Sequence, residues 1–372
     1  MKIAIVHDWL TNMGGAEKII EIMHDVFPEA PIYTLVYNKD NMPGPFQKMV
    51  IKTSFLQKVP FAKRKHNLFL QFMPTAVEQF DLSYYDLVIS SSTACAKGVI
   101  TRADTCHICY CNTPMRYAWD FYHDYIKGKG LITRTYIAYQ MNKIRLWDRM
   151  AADRVDYFIA NSHNVSRRIE KHYRREAQVI YPPVDTDFYQ PNKGNRDNYF
   201  LCAGRLVGYK RIDLAIDAFN LLKLPLQVVG DGAEYKRLKR KAGNSISFLG
   251  RVNNQELRNL YQGCRAFIFP GEEDFGITPL EAQACGRPVI AYGKGGALET
   301  ILADKTGIFF NKQTTEALAG AVQHFIATEQ HFNVDEIRKH ADKFNITRFK
   351  SQMEKFIMSK YEEYNTNMRR ER

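Results

Sequence analysis

The sequence predicts an α/β protein of two Rossmann-like, doubly wound domains, and three observations predict it. Short apolar runs alternate with helix-length amphipathic stretches along the whole chain, the grammar of parallel βαβ units. The alternation begins twice, at Ile3 and at Tyr199, on either side of Tyr181-Pro182-Pro183-Val184-Asp185, which breaks both periodicities. The chain of 372 residues is also longer than one core ordinarily serves, so two domains of about 180 residues are expected.

The elements follow in order. Ile3-Ala4-Ile5-Val6 is an apolar run suited to a buried parallel strand, followed by a turn with Gly14-Gly15 and helical spacing over 16–23. Further strands are expected at 32–36, 87–90, 107–110 and 157–160, with a long amphipathic helix over 131–151. After the connector, a strand at 199–203 ends at Gly204, and a helix covers 212–222. Strands at 226–230, 247–249, 266–269 and 288–291 alternate with helical patterns, and a charged helix closes the chain over 346–364. The expected domains are 1–182 and 183–345, with 346–372 packing back on the first. Two such domains bind ligands at the carboxyl ends of their strands, so functional loops should face an interdomain cleft.

Composition narrows the class. Hydrophobic residues at 45% and charged residues at 25% exclude a disordered or fibrous chain. The apolar start is interrupted by His7 and Asp8, which does not fit a signal peptide, and no stretch reaches the ~20 apolar residues of a membrane span. A cytoplasmic location is expected. The seven cysteines are then expected as free thiols. Cys106-His107-Ile108-Cys109-Tyr110-Cys111 alternates like a strand and lacks a second ligand pair at zinc spacing, so a buried strand and no metal site is the reading, with His107 packed. The net charge of +12 fits a phosphate-bearing or membrane-surface partner, or a plain solvated basic surface. No recognition motif for nucleic acid accompanies it.

The most informative stretch runs from Phe269 to Ala291. A strand ends near Phe269, and a helix starts near Thr278 with Pro279 in its first turn, where proline is tolerated. Its free N–H groups and positive dipole end suit an anion. Glu273 and Glu281 flank that start; such carboxylates can bind sugar hydroxyls at the two ends of a nucleotide sugar, or form an ordinary acidic pair.

The Glu273-x7-Glu281 spacing, within Glu273-Asp274-Phe275-Gly276-Ile277-Thr278-Pro279-Leu280-Glu281-Ala282, resembles the retaining glycosyltransferases of family 4, which have the GT-B fold. Gly204-Arg205-Leu206 with Lys210 is similar to that family's Gly-Arg-Leu-x3-Lys element. Gly230-Asp231-Gly232, Gly250-Arg251-Val252 and Gly295-Gly296-Ala297-Leu298-Glu299 fall where the family carries related elements. Gly14-Gly15 resembles its first glycine loop, although a plain tight turn reads the same. Asn112-Thr113-Pro114-Met115-Arg116 resembles a segment usually written His-Thr-Pro-x-Arg; Asn112 cannot titrate, so acid/base work there is not expected. Arg116, Tyr117 and Trp119 suit an acceptor sugar or domain packing alike. Lys58, Lys63, Arg64 and Lys65 amid Phe55, Leu56, Phe61, Leu68, Phe69 and Phe72 suit a membrane surface or a covered helix with solvated lysines.

The resemblance implies transfer of a hexosyl group with retention. Arg205 and Lys210 would stabilise the departing diphosphate without metal, Glu273 would orient the donor sugar, and Glu281 would hold the ribose. Gly14, Gly15, Asn112, Gly204, Arg251, Val252, Phe275, Gly276, Ile277 and Thr278 complete the implied donor contacts. No cofactor is implied beyond the nucleotide-sugar co-substrate. The wording is similar to mannosyltransferases of bacterial surface-polysaccharide assembly, so GDP-mannose is the leading donor. The acceptor would be an oligosaccharide or a polyprenyl-diphosphate-linked glycan, with peripheral contact at the inner membrane face. Two other readings stay open: a nucleotide-sugar epimerase of the same fold, and a non-catalytic nucleotide- or glycan-binding protein. A dehydrogenase fits poorly, because the first turn lacks Gly-x-Gly-x-x-Gly.

Overall fold

The structure, a computed structural model, describes residues 1–192, 194 and 197–370. It divides into two compact units, Met1–Tyr181 together with Lys350–Arg372, and Pro182–Phe349.

The first unit is built on a seven-stranded sheet of β1 (Ile3–His7), β2 (Ile32–Thr34), β3 (Ile51–Thr53), β4 (Leu87–Ser92), β5 (Cys106–Cys111), β6 (Tyr157–Ala160) and β7 (Ala177–Val179). All pairs are parallel, in the order β3-β2-β1-β4-β5-β6-β7. The order reverses between β1 and β4, which opens a switch point at their carboxyl ends. Every residue of β4 and β5 is buried, so side chains on both faces must be apolar or internally satisfied. The cysteines of β5 meet that need as small apolar groups, and all seven cysteines of the chain are buried and free. His107 is packed as expected: its Nε2 lies 2.9 Å from Ser90 Oγ, and burial pushes its pKa down to about 4.

The second unit carries β8 (Phe200–Ala203), β9 (Leu226–Val229), β10 (Ile246–Gly250), β11 (Phe267–Phe269), β12 (Val289–Tyr292) and β13 (Gly307–Phe310). They form a six-stranded parallel sheet in the order β10-β9-β8-β11-β12-β13, with the switch point between β8 and β11. Phe200, Phe219 and Phe325 meet edge to face at its core, with Phe200 5.1 Å from Phe219 and 5.9 Å from Phe325. Truncating one such ring to alanine costs about 3–5 kcal/mol.

The last helix, Ile346–Arg370, packs within the first unit from Lys350 onward. Lys350 Nζ pairs with Asp25 at 2.9 Å, and Tyr364 Oη donates to the Ala103 carbonyl at 2.6 Å.

Three strands escape the sequence pattern. β3 and β7 are three-residue strands with no fully buried residue, and β13 begins at a glycine. The 55–72 segment is not one helix. It breaks into a 3-10 turn Phe55–Lys58, a short helix Ala62–Lys65 and a 3-10 helix His66–Phe72. Pro60 interrupts it, and Phe61 takes a left-handed φ of 64°.

Candidate active site

In the second unit Gly204, Arg205 and Lys210 follow β8, Glu273 and the helix that bears Glu281 follow β11, and Arg251 and Val252 follow β10. β8 runs into Gly204-Arg205, and the chain turns back through a 3-10 turn at Gly208–Lys210. Lys210 Nζ donates to Glu273 Oε1 from the loop after β11; each side chain is 15% exposed. The exposed Arg205 donates from Nη2 to Tyr209 Oη at 3.2 Å. Gln313 Nε2 ties the Glu273 loop down at the Pro270 carbonyl, 3.0 Å away, and is itself held by Arg211 at 3.2 Å.

That loop also lies on the Gly295-Gly296 turn. Gly296 N donates to the Glu273 carbonyl at 2.8 Å, and a Cβ added at Gly296 would sit 2.3 Å from Phe275 Cα. Only glycine permits this approach.

The helix Ile277–Ala284 starts at Gly276, whose φ of 90° is left-handed, and no side chain caps it. Its first N–H groups thus project from the helix end without a side-chain acceptor. Ile277 and Thr278 are partly exposed there, whereas the Phe275 ring is buried, 5.9 Å from Phe344. Phe275 therefore offers backbone, not its ring, to any ligand in this loop.

Glu281 sits one turn further in. Its Oε2 accepts the Tyr261 hydroxyl at 2.9 Å. Burial raises its pKa to about 7, against the opposing hydrogen bonds of Tyr261 and Tyr189 and the charge of Lys210. Arg251 is 78% exposed and lies 3.6 Å from Asp231, at the ends of β10 and β9; Val252 is partly exposed beside it.

In the first unit, Gly14 and Gly15 begin the helix Gly15–Val26 after β1, with Gly14 as an uncapped, extended N-cap. Asn112 directly follows β5 and is buried; its Nδ2 donates to Ser91 Oγ at 3.0 Å, and its carbonyl accepts from Asn161 at 2.8 Å. Its amide N–H groups are thus partly spent on neighbouring strand ends.

The three acceptor candidates diverge. Arg116 lies over the Phe121 ring at 5.6 Å. The Tyr117 hydroxyl is buried without a partner, 6.2 Å ring to ring from Tyr125. Trp119 donates its indole N–H to Asp148 at 2.8 Å and stacks on His172 at 4.6 Å, so its polar edge and one face are committed to packing. Nearby, Arg168 and His172 both reach Asp120 Oδ2, at 2.7 and 3.1 Å. Burial alone would raise the Asp120 pKa, but those partners outweigh it and hold it at about 2.

Sequence reasoning missed two buried carboxylates. Asp8 accepts five hydrogen bonds, from the backbone N–H groups of Thr93 to Ala96 and the Thr93 hydroxyl, at 2.6–2.9 Å. Its position directly after the first apolar run was the available signal. Asp148 accepts from Lys97, from Trp119 and from Tyr173 at 2.8 Å, and no local pattern signals that contact across 51 residues. Among the described residues no group of three His, Cys, Asp or Glu side chains could hold a metal ion.

Two family profiles tile this architecture: "Glycosyltransferase Family 4" matches residues 13–188 and "Glycosyl transferases group 1" matches 184–346. HepE of Anabaena, solved in complex with UDP, superposes with a TM-score of 0.73 over 96% of this chain and all of that one; at 17% identity the likeness is of fold. The class is that of GT-B glycosyltransferases, two Rossmann-like domains in one chain. Within that class, the two matches together support a glycosyltransferase of family 4. An alpha-1,3/1,6-mannosyltransferase of Dictyostelium discoideum is 25% identical over 61% of this chain and 67% of its own length. O-antigen chain mannosyltransferase C of Escherichia coli is 32% identical over 37% of this chain and 39% of its own. The chain spans about half the length of the curated relatives it matches.

Proposed function

We propose that the chain is a retaining hexosyltransferase that moves mannose from GDP-mannose to a glycan acceptor in surface polysaccharide or lipopolysaccharide assembly. The observation that carries this reading is the Lys210–Glu273 pair beside the uncapped start of the helix Ile277–Ala284. A cation, a carboxylate and free backbone N–H groups sit within one loop cluster, as loss of a nucleoside diphosphate from a sugar requires.

An incoming diphosphate competes with Glu273 for Lys210. Its negative charge then rests on Lys210, Arg205 and the helix N–H groups, while the freed Glu273 carboxylate accepts hydrogen bonds from donor-sugar hydroxyls. The anomeric C–O bond to phosphate breaks as the acceptor oxygen attacks from the same face. The acceptor proton passes to the departing phosphate oxygen, so no protein base is needed and Asn112 suffices where a titrating group is absent. Glu281 holds the ribose. In the second unit Gly204, Arg251, Val252, Phe275, Gly276, Ile277 and Thr278 are the proposed donor contacts, in the first unit Gly14 and Gly15 are, and the reaction proceeds without metal. On the acceptor side Arg116 is the proposed contact for a charged, polyprenyl-diphosphate-linked glycan. Mannose is supported by the two mannosyltransferase relatives. The enzyme would work in the cytoplasm, at the membrane face.

A thermal-shift screen of GDP, UDP, ADP and their common sugar conjugates tests the reading. Selective stabilisation by GDP and GDP-mannose, unchanged by EDTA, is the expected result. Preference for a uridine nucleotide would remove the mannose assignment, and no response to any nucleotide would remove the transferase mechanism.

A further inference from the structure

The helix Leu131–Asp153 buries one face and leaves the other bare. Met141, Ile144, Asp148, Ala151 and Ala152 are buried against the first unit. Opposite them run Ile132, Tyr136, Tyr139, Lys143, Leu146 and Met150, at alternating steps of four and three residues, and all six are exposed. That spacing keeps them on a single stripe, about 27 Å long at 1.5 Å per residue. Ile132 is 88% exposed, and Lys143 Nζ lies 4.6 Å over the Tyr139 ring.

The fold sets a second apolar edge beside this stripe. Tyr136 Oη donates to Gln71 Oε1 at 3.2 Å, joining the helix to the 3-10 helix His66–Phe72. Leu68, one 3-10 turn before Gln71, is 69% exposed, and Phe61 is 75% exposed. Charge decides what could cover such a surface. Residues 55–77 and 125–147 together hold nine lysines and arginines and no aspartate or glutamate. A second copy of this chain would bring the same positive field and repel. An anionic bilayer attracts those cations, while the aliphatic and tyrosine side chains enter the headgroup boundary.

We propose that this face of the first unit, the outer stripe of Leu131–Asp153 with the 61–72 edge, docks flat on an anionic lipid surface. It deepens the membrane contact proposed above, but stands on this surface alone and not on the transfer chemistry. The helix lies in the interface plane, with Ile132, Leu146 and Met150 buried among acyl chains and Lys63, Lys65 and Lys143 among phosphates.

Flotation of the purified protein with vesicles tests it, comparing phosphatidylcholine alone with equal parts phosphatidylcholine and phosphatidylglycerol. Binding to the anionic vesicles only, released near 1 M salt where screening is complete within about 3 Å, is expected. The double variant Lys63→Gln/Lys65→Gln should lower vesicle affinity about 30-fold, at about 1 kcal/mol per cation. Ile132→Ser/Leu146→Ser should lower it further, with an unchanged melting temperature showing that the fold survives. Nucleotide-induced thermal shifts in these variants should match the parent protein, which separates this surface from the donor site. Equal binding to neutral vesicles, or no binding at low salt, would overturn the proposal. So would a stripe-dependent dimer in sedimentation that floats with neither vesicle, since the occupant would then be a second copy.

Discussion

Lys210 and Glu273 stand 63 residues apart in sequence and form an ion pair at the ends of β8 and β11, each side chain largely shielded from water. The pair joins the two strands that flank the topological switch point of the second unit. On the proposed reading, an incoming diphosphate takes the place of Glu273 on Lys210.

Removing the cation should therefore act on the chemical step. Lys210→Ala is expected to lower kcat by about 10²–10³, the usual effect of losing one donor to developing negative charge. Steady-state transfer assays with the donor chosen by the nucleotide screen read this directly. Glu273→Gln keeps the size of the side chain and should lower kcat/KM for the sugar donor while nucleotide binding persists. Full activity in either variant would remove that residue from the mechanism.

The Glu281 carboxyl should make the ligand-free protein pH-sensitive. Its folded pKa is raised to about 7, so the folded state binds a proton that the unfolded chain has released. Stability from this group is then fully present below the unfolded value of about 4.5 and is lost as pH rises toward 7. Melting temperatures over that interval should fall less in Glu281→Gln than in the parent protein. Tyr261→Phe deletes a hydrogen bond that favours the ionised form and should push the transition to higher pH.

Gly296→Ala should be costly for its size. The new methyl would fall 2.3 Å from Phe275 Cα, a backbone atom that cannot swing aside. Displacing that loop is expected to cost about 1–3 kcal/mol in urea denaturation and to move Glu273, whose carbonyl accepts from Gly296. Activity should fall more steeply than stability.

The buried Lys97–Asp148 pair offers a purely structural contrast. Both side chains are at most 1% exposed, and Asp148 also accepts from Trp119 and Tyr173. Asp148→Ala strands the Lys97 ammonium and should cost about 3–5 kcal/mol. Donor-nucleotide affinity measured in the cold, where the variant stays folded, should be unaltered.

Hydrophobic period and turn chemistry carried most of the architecture. The strands at Ile3–His7, Leu87–Ser92 and Leu226–Val229 and the helix Ile212–Leu222 lie where apolar runs and helical spacing put them. Their burial is continuous or one-sided, so composition alone reports it. The two-unit division is legible at Tyr181-Pro182-Pro183, because proline cannot continue either periodicity. Where burial is partial the pattern is silent, as at Ile51–Thr53 and Ala177–Val179.

Tertiary structure alone decided which polar groups meet. The sequence marks Lys210, Glu273 and Glu281 as carboxylates and a cation near strand and helix ends, yet not that Lys210 takes Glu273 while Tyr261 takes Glu281. Trp119 reads as a surface aromatic until Asp148, 29 residues away, claims its indole. The outer stripe of Leu131–Asp153 is periodic in sequence, but which of the helix's two apolar faces stays bare depends on what packs against it. Local periodicity is set by backbone geometry within one element; pairing across elements is set by sheet order and loop closure, which no short window of sequence contains.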